Sequence, residues 1–424
     1  MRILHLTLRY WPAYGGAEQY LRELSNRFAA DGHHVTVAVT DALDFELLWD
    51  PSRRRVTLPA TEDHGVRTLR FPLHHLPAPG LAYPAWRRML WILSHLRPVP
   101  VAWLAYLARV TPWVPGLWRW LEQTREEFDI VGGMNICFEP LLEAGLRFAR
   151  RRGIPFVIYP LTHLGAGPAP GRDALSRFYT MRHQIELVRA ADAVVAQTPT
   201  EKSFYEGHGV PAERIHVVGP GVHPPDLEGG AGRRFRYHHN IEGPLVTSIS
   251  SMTYDKGTIH LVEAVRRLWN AECPVNLVLA GSPMTAFRQY VAALPHSVRL
   301  RINVIERIKE EDKRDLLAAT DIFALPSRTD SFGIAYLEAW LYGKPVIGAR
   351  TWGVTDVIED GRDGLLVPFG DIDALAQAIS WLLDHPQERA EMGLRGQSKV
   401  YRYHTWERKY AMVKELYLDM TGAR

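Results

Sequence analysis

Short apolar, β-branched runs alternate along this chain with longer stretches whose apolar positions return at helical spacing. The first series of such runs is RILHLTL, HHVTVAV, FDIVGGM, PFVIYPL, AVVAQT and IHVVG, with a helix expected around Glu18 to Ala30 between the first two. The segment PPDLEGGAGRRFRYHHNIEGP, rich in Gly, Pro and charge, breaks the rhythm. A second series follows: PLVTSISS, VNLVLAG, RLRINVIE, DIFALPS, KPVIGA and DGLLV. Strands that are apolar throughout and separated by helices belong to parallel sheets covered on both faces, so the pattern predicts an α/β fold of two doubly wound, Rossmann-like domains. In such sheets ligands lie beyond the carboxyl ends of the strands, which with two facing domains means a cleft between them. The final run, TWERKYAMVKELYLDM, places Tyr410, Val413, Leu416 and Leu418 at helical spacing.

Residues 326–348, PSRTDSFGIAYLEAWLYGKPVIG, carry the clearest chemistry. A buried strand runs into a turn at Ser327 to Ser331 and then into a helix opened by Ser331, Phe332 and Gly333. Unpaired N–H groups and the positive end of a helix dipole favour an anion there, and a diphosphate suits them. Asp330 and Glu338 add two carboxylates. Ile334, Ala335, Leu337, Ala339, Trp340 and Leu341 surround Glu338 with apolar side chains, so its charge requires a specific partner.

Residues 72–127 stand apart. They hold six of the thirteen tryptophans together with Arg87, Arg88, Arg97 and Arg109. In AWRRMLWILSHLR, one helix face carries Trp86, Met89, Leu90, Leu93 and Leu96, with Arg87 and His95 toward the other. Two readings stand at this point: a face packed on the first domain, or an interfacial segment that brings the protein to a membrane.

At 424 residues the chain suits two domains. The balance of 50 Lys and Arg against 47 Asp and Glu, a formal charge of +3, is too even to argue for a nucleic-acid partner. Cys137 and Cys273 fall in different expected domains and form neither a disulfide framework nor a metal site, which fits a reducing cytosol. The first residues read as an internal strand and not a secretory signal. Val101 to Ala108, between Pro100 and Arg109, is far shorter than the ~20 apolar residues of a membrane-spanning helix. The D-x-D triplet Asp371-Ile372-Asp373 follows Gly370 at the entry to a helix, where Asp serves as an N-cap, so no metal is implied. No Walker loop is present, nor a G-x-G-x-x-G after a strand.

The paired acids, GKPVIG and DGRDGLLVPFGDIDALAQAI resemble the family-4 retaining glycosyltransferases of GT-B fold. RYWPAYGGAEQYLRELSNRFAADGHHVTVAV, ADAVVAQTPTEKSFYEGHGVPAERIHVVGPGV and DKGTIHLVEAV fall in that family's order, and only residues 72–127 have no counterpart. The resemblance implies residues 1–225, with the insert 72–127 and the returning helix 405–424, as the acceptor-side domain. It implies 226–243 as linker and 244–404 as the donor domain. It implies transfer of a sugar from a nucleotide diphosphate sugar to a glycan, lipid-linked or small-molecule acceptor, without a further cofactor. The protein is then cytoplasmic or peripheral at the inner face of a membrane. Lys256 matches the phosphate-binding lysine, Glu338 the ribose-holding acid and Asp330 the acid near the sugar. Gly15 and Gly16 match the glycine pair of the first strand-to-helix loop, and His163 the histidine near the reacting centre. Ser331, Phe332 and Gly333 line the donor loop, and Glu306 to Ile308 fall at the nucleobase position.

Two residues depart from the family pattern. Ser251 stands where an arginine is usual and offers neither its charge nor its planar fork, so Arg328 or Arg307 is a candidate replacement. Asp330 replaces a glutamate and is shorter by one methylene. A GT-B phosphorylase or epimerase, and a non-catalytic sugar-nucleotide-binding protein, are the competing readings.

Overall fold

The computed structural model describes residues 1–422 and separates into two compact units. The first comprises Met1–Leu164, Gly171–Gly219 and the chain from Lys409 onward; the second comprises Gly165–Pro170 and Pro220–Arg408. Residues 423–424 of the C-terminal run lie outside the described residues.

The first unit is built on an eight-stranded sheet: β1 (Arg2–Leu6), β2 (His34–Thr40), β3 (Ala60–Asp63), β4 (Val66–Phe71), β5 (Ile130–Met134), β6 (Phe156–Tyr159), β7 (Ala193–Ala196) and β8 (Ile215–Val217). Their order is β3-β4-β2-β1-β5-β6-β7-β8, parallel except for the β3–β4 pair at the edge. Every residue of β5, β6 and β7 is buried, as continuous apolar strands covered on both faces should be. The β3–β4 pair, ATEDHGVRTLRF, was not among the expected strands.

The second unit has six parallel strands, β9 (Leu245–Ile249), β10 (Asn276–Gly281), β11 (Ile302–Glu306), β12 (Ile322–Leu325), β13 (Val346–Ala349) and β14 (Gly364–Val367). They are ordered β11-β10-β9-β12-β13-β14. Alternate residues of β12 enter different cores: Ile322 and Ala324 pack with the helices Thr258–Asn270 and Ile372–Asp384, while Phe323 and Leu325 pack with the helix Ile334–Leu341. Helices therefore cover both sheet faces, the doubly wound arrangement expected from the sequence.

Two expectations are corrected. The Gly-rich stretch expected as a linker belongs to the second unit and carries the helix Gly232–His238, whose Phe235 is buried against Leu245, Val278 and Leu316. Arg234 and Arg236 add ion pairs with Asp315 and Asp321, each at 2.7 Å.

The C-terminal helix, Trp406–Thr421, buries Val413 and Tyr417, whereas Leu416 and Leu418 are only half-buried. The Tyr417 hydroxyl lies 3.2 Å from His5 Nε2 and accepts from the Tyr159 hydroxyl at 3.0 Å. Its ring stacks on Phe28 at 5.0 Å.

The second correction concerns the Trp-rich insert, which folds into the helices Pro79–His95, Val101–Ala108 and Pro115–Gln123. Arg87 lies on the buried face of the first, with Leu90 and Ser94, and not toward solvent. Its Nη1 donates to Glu139 Oε1 at 2.5 Å, and Nη2 donates to the Phe178 carbonyl at 3.2 Å. His183 Nε2 lies 2.9 Å from the same carboxylate oxygen, and Gln184 Nε2 donates to the other at 3.2 Å. Burial pushes the Glu139 carboxyl up, but Arg87 and His183 outweigh it and hold the group below its ordinary value. Nearby, burial pushes the Cys137 thiol up to about 11, so it stays protonated.

Candidate functional site

In the second unit the site begins where β12 ends. Pro326–Gly333 connects β12 to the helix Ile334–Leu341, and the turn is tied down locally: Ser327 N–H donates to the Leu325 carbonyl and the Tyr336 hydroxyl donates to the same oxygen at 2.6 Å. Gly333 occupies the position before the helix with φ +91°, and a Cβ there would lie 2.4 Å from the Tyr336 ring, so only glycine fits. Phe332 is buried among Tyr336, Leu337 and Trp340; its side chain anchors the loop, leaving its backbone for a ligand.

The loop after β9 meets this turn. Gly257 passes so close to Pro326 that a Cβ would sit 2.1 Å from its carbonyl oxygen. Arg328 N–H donates to the Asp255 carbonyl, and Arg328 Nε donates to Asp255 Oδ1 at 2.8 Å. This clamp brings Lys256 Nζ to 2.7 Å from Asp330 Oδ1, with the two side chains 22% and 15% exposed. Lys256 lies one residue before Gly257, the N-cap of the helix Thr258–Asn270. The ammonium expected for phosphate and the acid expected for sugar thus form a partly buried ion pair beside two helix N-termini.

Glu338 lies further along its helix and is 6% exposed. Its partner is Lys313 of the helix Glu310–Ala319, whose Nζ donates to Glu338 Oε1 at 3.1 Å and also pairs with Glu310 at 2.9 Å. Lys313, 4% exposed, was missed by the sequence reading. The need for a cation was visible in the apolar surroundings of Glu338; which of Lys309, Lys313 or Arg314 supplies it was not.

Ser251 is exposed on the loop after β9. Of the two candidate replacements for the missing arginine, Arg328 is engaged with Asp255 and stands over the rings of Phe369 and Tyr254 at 5.0 and 5.6 Å. Arg307 is exposed at the carboxyl end of β11, has φ +51° and makes no ion pair among the described residues. Ile308, half-buried beside it, packs against the core around Phe235 and Leu245. Asp371 Oδ1 accepts from Ala374 N–H at 2.9 Å, the N-cap expected of it. Asp373 pairs with Arg267. Among the described residues no group of three or more His, Cys, Asp or Glu side chains is placed to hold a metal ion.

In the first unit, Gly15 precedes the helix Gly16–Ala30 and packs on Glu18, which pairs with Arg9 at 2.7 Å; Gly16 faces open space. His163 follows β6 and is half-buried, its ring edge-on to Tyr179 at 4.6 Å. The preceding residue is fixed by buried contacts: Thr162 N–H donates to Glu201 Oε1 at 2.7 Å and its hydroxyl lies 2.7 Å from that of Tyr205.

Residues 15–221 match the family described as glycosyl transferase 4-like domain, and residues 233–399 match glycosyl transferases group 1. A D-inositol 3-phosphate glycosyltransferase of Xylanimonas cellulosilytica is 31% identical over 250 residues, 56% of this chain and 60% of that protein. A second protein so described, from Acidothermus cellulolyticus, is 28% identical across 66% of both chains, so these alignments span only about two thirds of the curated relatives or less. An MMP alpha-(1->4)-mannosyltransferase of Mycolicibacterium hassiacum is 24% identical over 98% of each chain. Among solved structures, Anabaena Alr3699/HepE in complex with UDP and glucose superposes with a TM-score of 0.71 at 20% identity, covering 98% of this chain and 99% of that one. The two family matches together take in most of the sequence, and the chain belongs to the family-4-like, group 1 glycosyltransferases of GT-B fold.

Proposed function

We propose that this protein is a retaining glycosyltransferase that takes a sugar from a nucleotide diphosphate donor and passes it to a hydroxyl of a glycan, lipid-linked or small-molecule acceptor. The observation that carries the reading is the Lys256–Asp330 pair, held at the carboxyl ends of β9 and β12. A diphosphate arriving there meets one ammonium and two helix N-termini, and no divalent cation is needed to compensate it. Lys256 turns from Asp330 to the phosphates, and Asp330 accepts from a sugar hydroxyl. Glu338 accepts from the ribose, with Lys313 holding its carboxylate in place. Residues 244–404 are the donor-binding part; His163 and the Gly15–Gly16 loop serve the reacting sugar and acceptor. The relatives' names, which include glycosyl transfer to inositol phosphate and to phosphatidylinositol mannoside, support this class of acceptor.

A turnover assay with UDP-, GDP- and ADP-sugars in the presence of EDTA tests the reading. Transfer with retained anomeric configuration, undiminished by EDTA, is expected. Phosphate-dependent cleavage would show a phosphorylase, binding without turnover a non-catalytic protein, and loss of activity in EDTA a metal requirement.

The two acids should fail differently. Glu338→Gln is expected to raise donor KM about tenfold with a smaller change in kcat, because one ribose hydrogen bond to a charged group is weakened. Asp330→Asn is expected to lower kcat with little change in KM, since it disturbs the sugar near the anomeric carbon. Steady-state kinetics of both variants, with thermal melts as the folding control, distinguish this from equal small effects, which would argue against the assignment.

A further inference from the structure

Residues 64–121 contain seven arginines and no aspartate or glutamate, whereas the whole chain is nearly balanced. Folding sorts these arginines. Arg87 and Arg109 turn onto Glu139 and Glu143, Arg67 pairs with Glu126, and Arg70 is buried against backbone carbonyls. Arg88, Arg97 and Arg119 stay exposed and make no ion pair among the described residues, and the first two lie in and just after the helix Pro79–His95.

The helices around these two in the chain expose large apolar side chains. The helix Pro79–His95 buries Arg87, Leu90 and Ser94 and turns Leu81, Arg88 and Ile92 outward, with Leu81 79% and Ile92 48% exposed. A short connection through Arg97 leads into Val101–Ala108, which buries Leu104 and Ala108 and turns Ala102, Trp103 and Tyr106 outward. Trp103 and Tyr106 are three residues apart, hence on one face, and are 68% and 67% exposed. A single exposed aromatic would be unremarkable. Two adjoining ones, flanked by unpaired arginines within a stretch free of acids, form a basic, aromatic face.

We propose that this face docks on an anionic lipid bilayer, with Trp103 and Tyr106 at headgroup depth and Arg88 and Arg97 on lipid phosphates. Indole and phenol rings suit the boundary between acyl chain and water because each has an apolar body and a polar tip. No described helix is long and apolar enough to cross a membrane, so the contact is interfacial. A second copy of the chain is the poorer occupant: a two-fold interface would set Arg88 and Arg97 against their own copies and juxtapose like charges. The purpose of docking, access to a lipid-linked acceptor, rests on the glycosyltransferase reading; the docking itself does not.

Cosedimentation with vesicles of mixed phosphatidylcholine and phosphatidylglycerol tests the proposal. The protein should bind the mixed vesicles at low salt, bind pure phosphatidylcholine weakly, and be released as salt rises. Trp103→Ser with Tyr106→Ser, and separately Arg88→Glu with Arg97→Glu, should each weaken partitioning by more than about tenfold. All four side chains are exposed, so melting temperature and nucleoside diphosphate binding should be unchanged. Indifference of the wild-type protein to mixed vesicles would overturn the proposal, as would variants that bind like wild type. A wild-type dimer that either double variant converts to monomer would assign the face to self-association instead. Vesicle binding without nucleoside diphosphate binding would refute the catalytic reading and leave the docking surface standing.

Discussion

Lys256→Ala should weaken nucleoside diphosphate binding by roughly tenfold to a hundredfold, the range spanned by losing about 1.5 to 3 kcal/mol of charge-assisted hydrogen bonding. The loss has two parts. The ammonium no longer meets the phosphates, and the Asp330 carboxylate, no longer drawn to Lys256 at 2.7 Å, repels an anionic ligand more strongly. The second part predicts a coupling: Asp330→Asn added to Lys256→Ala should recover part of the lost affinity, since it removes the repulsion. Calorimetric titration of both variants measures this. The Lys256 side chain is 22% exposed and its pair is partly solvated, so stability should change by no more than about 1 kcal/mol. Affinity within twofold of wild type would remove Lys256 from the diphosphate site.

A loss of stability on the order of 10 °C is expected for Arg87→Met, which leaves Glu139 buried without its guanidinium. Breaking a buried pair from one side costs about 3 to 5 kcal/mol, because the remaining charge is out of water and keeps only its His183 and Gln184 contacts. The pH dependence has a definite sign. In the wild type the Glu139 carboxyl is held below its ordinary value of 4.5, so its contribution is present above that pH and fades as pH falls through the lowered value. In the variant, burial dominates and pushes the carboxyl up, so acid protonates it and relieves the penalty. The gap in melting temperature should therefore narrow as pH is lowered toward 5. A gap that is constant with pH would show that Arg87 acts through packing and not through its charge.

The sequence was readable where burial is simple. PFVIYPL and DIFALPS are apolar from end to end because both sheet faces are covered, and they identify β6 and β12 without further information. The edge pair β3–β4 escaped because ATEDHGVRTLRF mixes charges into its alternation and buries an arginine, Arg70, on carbonyl oxygens. Arg87 was assigned to the solvent face for a related reason. Local pattern ranks arginine as exposed, and the carboxylate that draws it inward lies 52 residues away. At the candidate site, Lys256 and Asp330 were found separately from motifs; their direct contact required two loops to meet, which no local periodicity encodes.

The Tyr417 hydroxyl, set between His5 and Tyr159, gives this protein an awkward birth. A ribosome works from the amino end, and the strands that carry His5 and Tyr159 emerge long before the helix that completes their core. Between them comes nearly the whole second unit, some 190 residues, which at a synthesis rate of ~5–20 residues per second occupies roughly 10 to 40 s. For that interval the nascent first unit exposes the apolar surface of Phe28 that Tyr417 later covers by stacking. The second unit, whose main segment is continuous from Pro220 to Arg408, needs only the earlier Gly165–Pro170 in addition. It can therefore finish folding first, although it is made second.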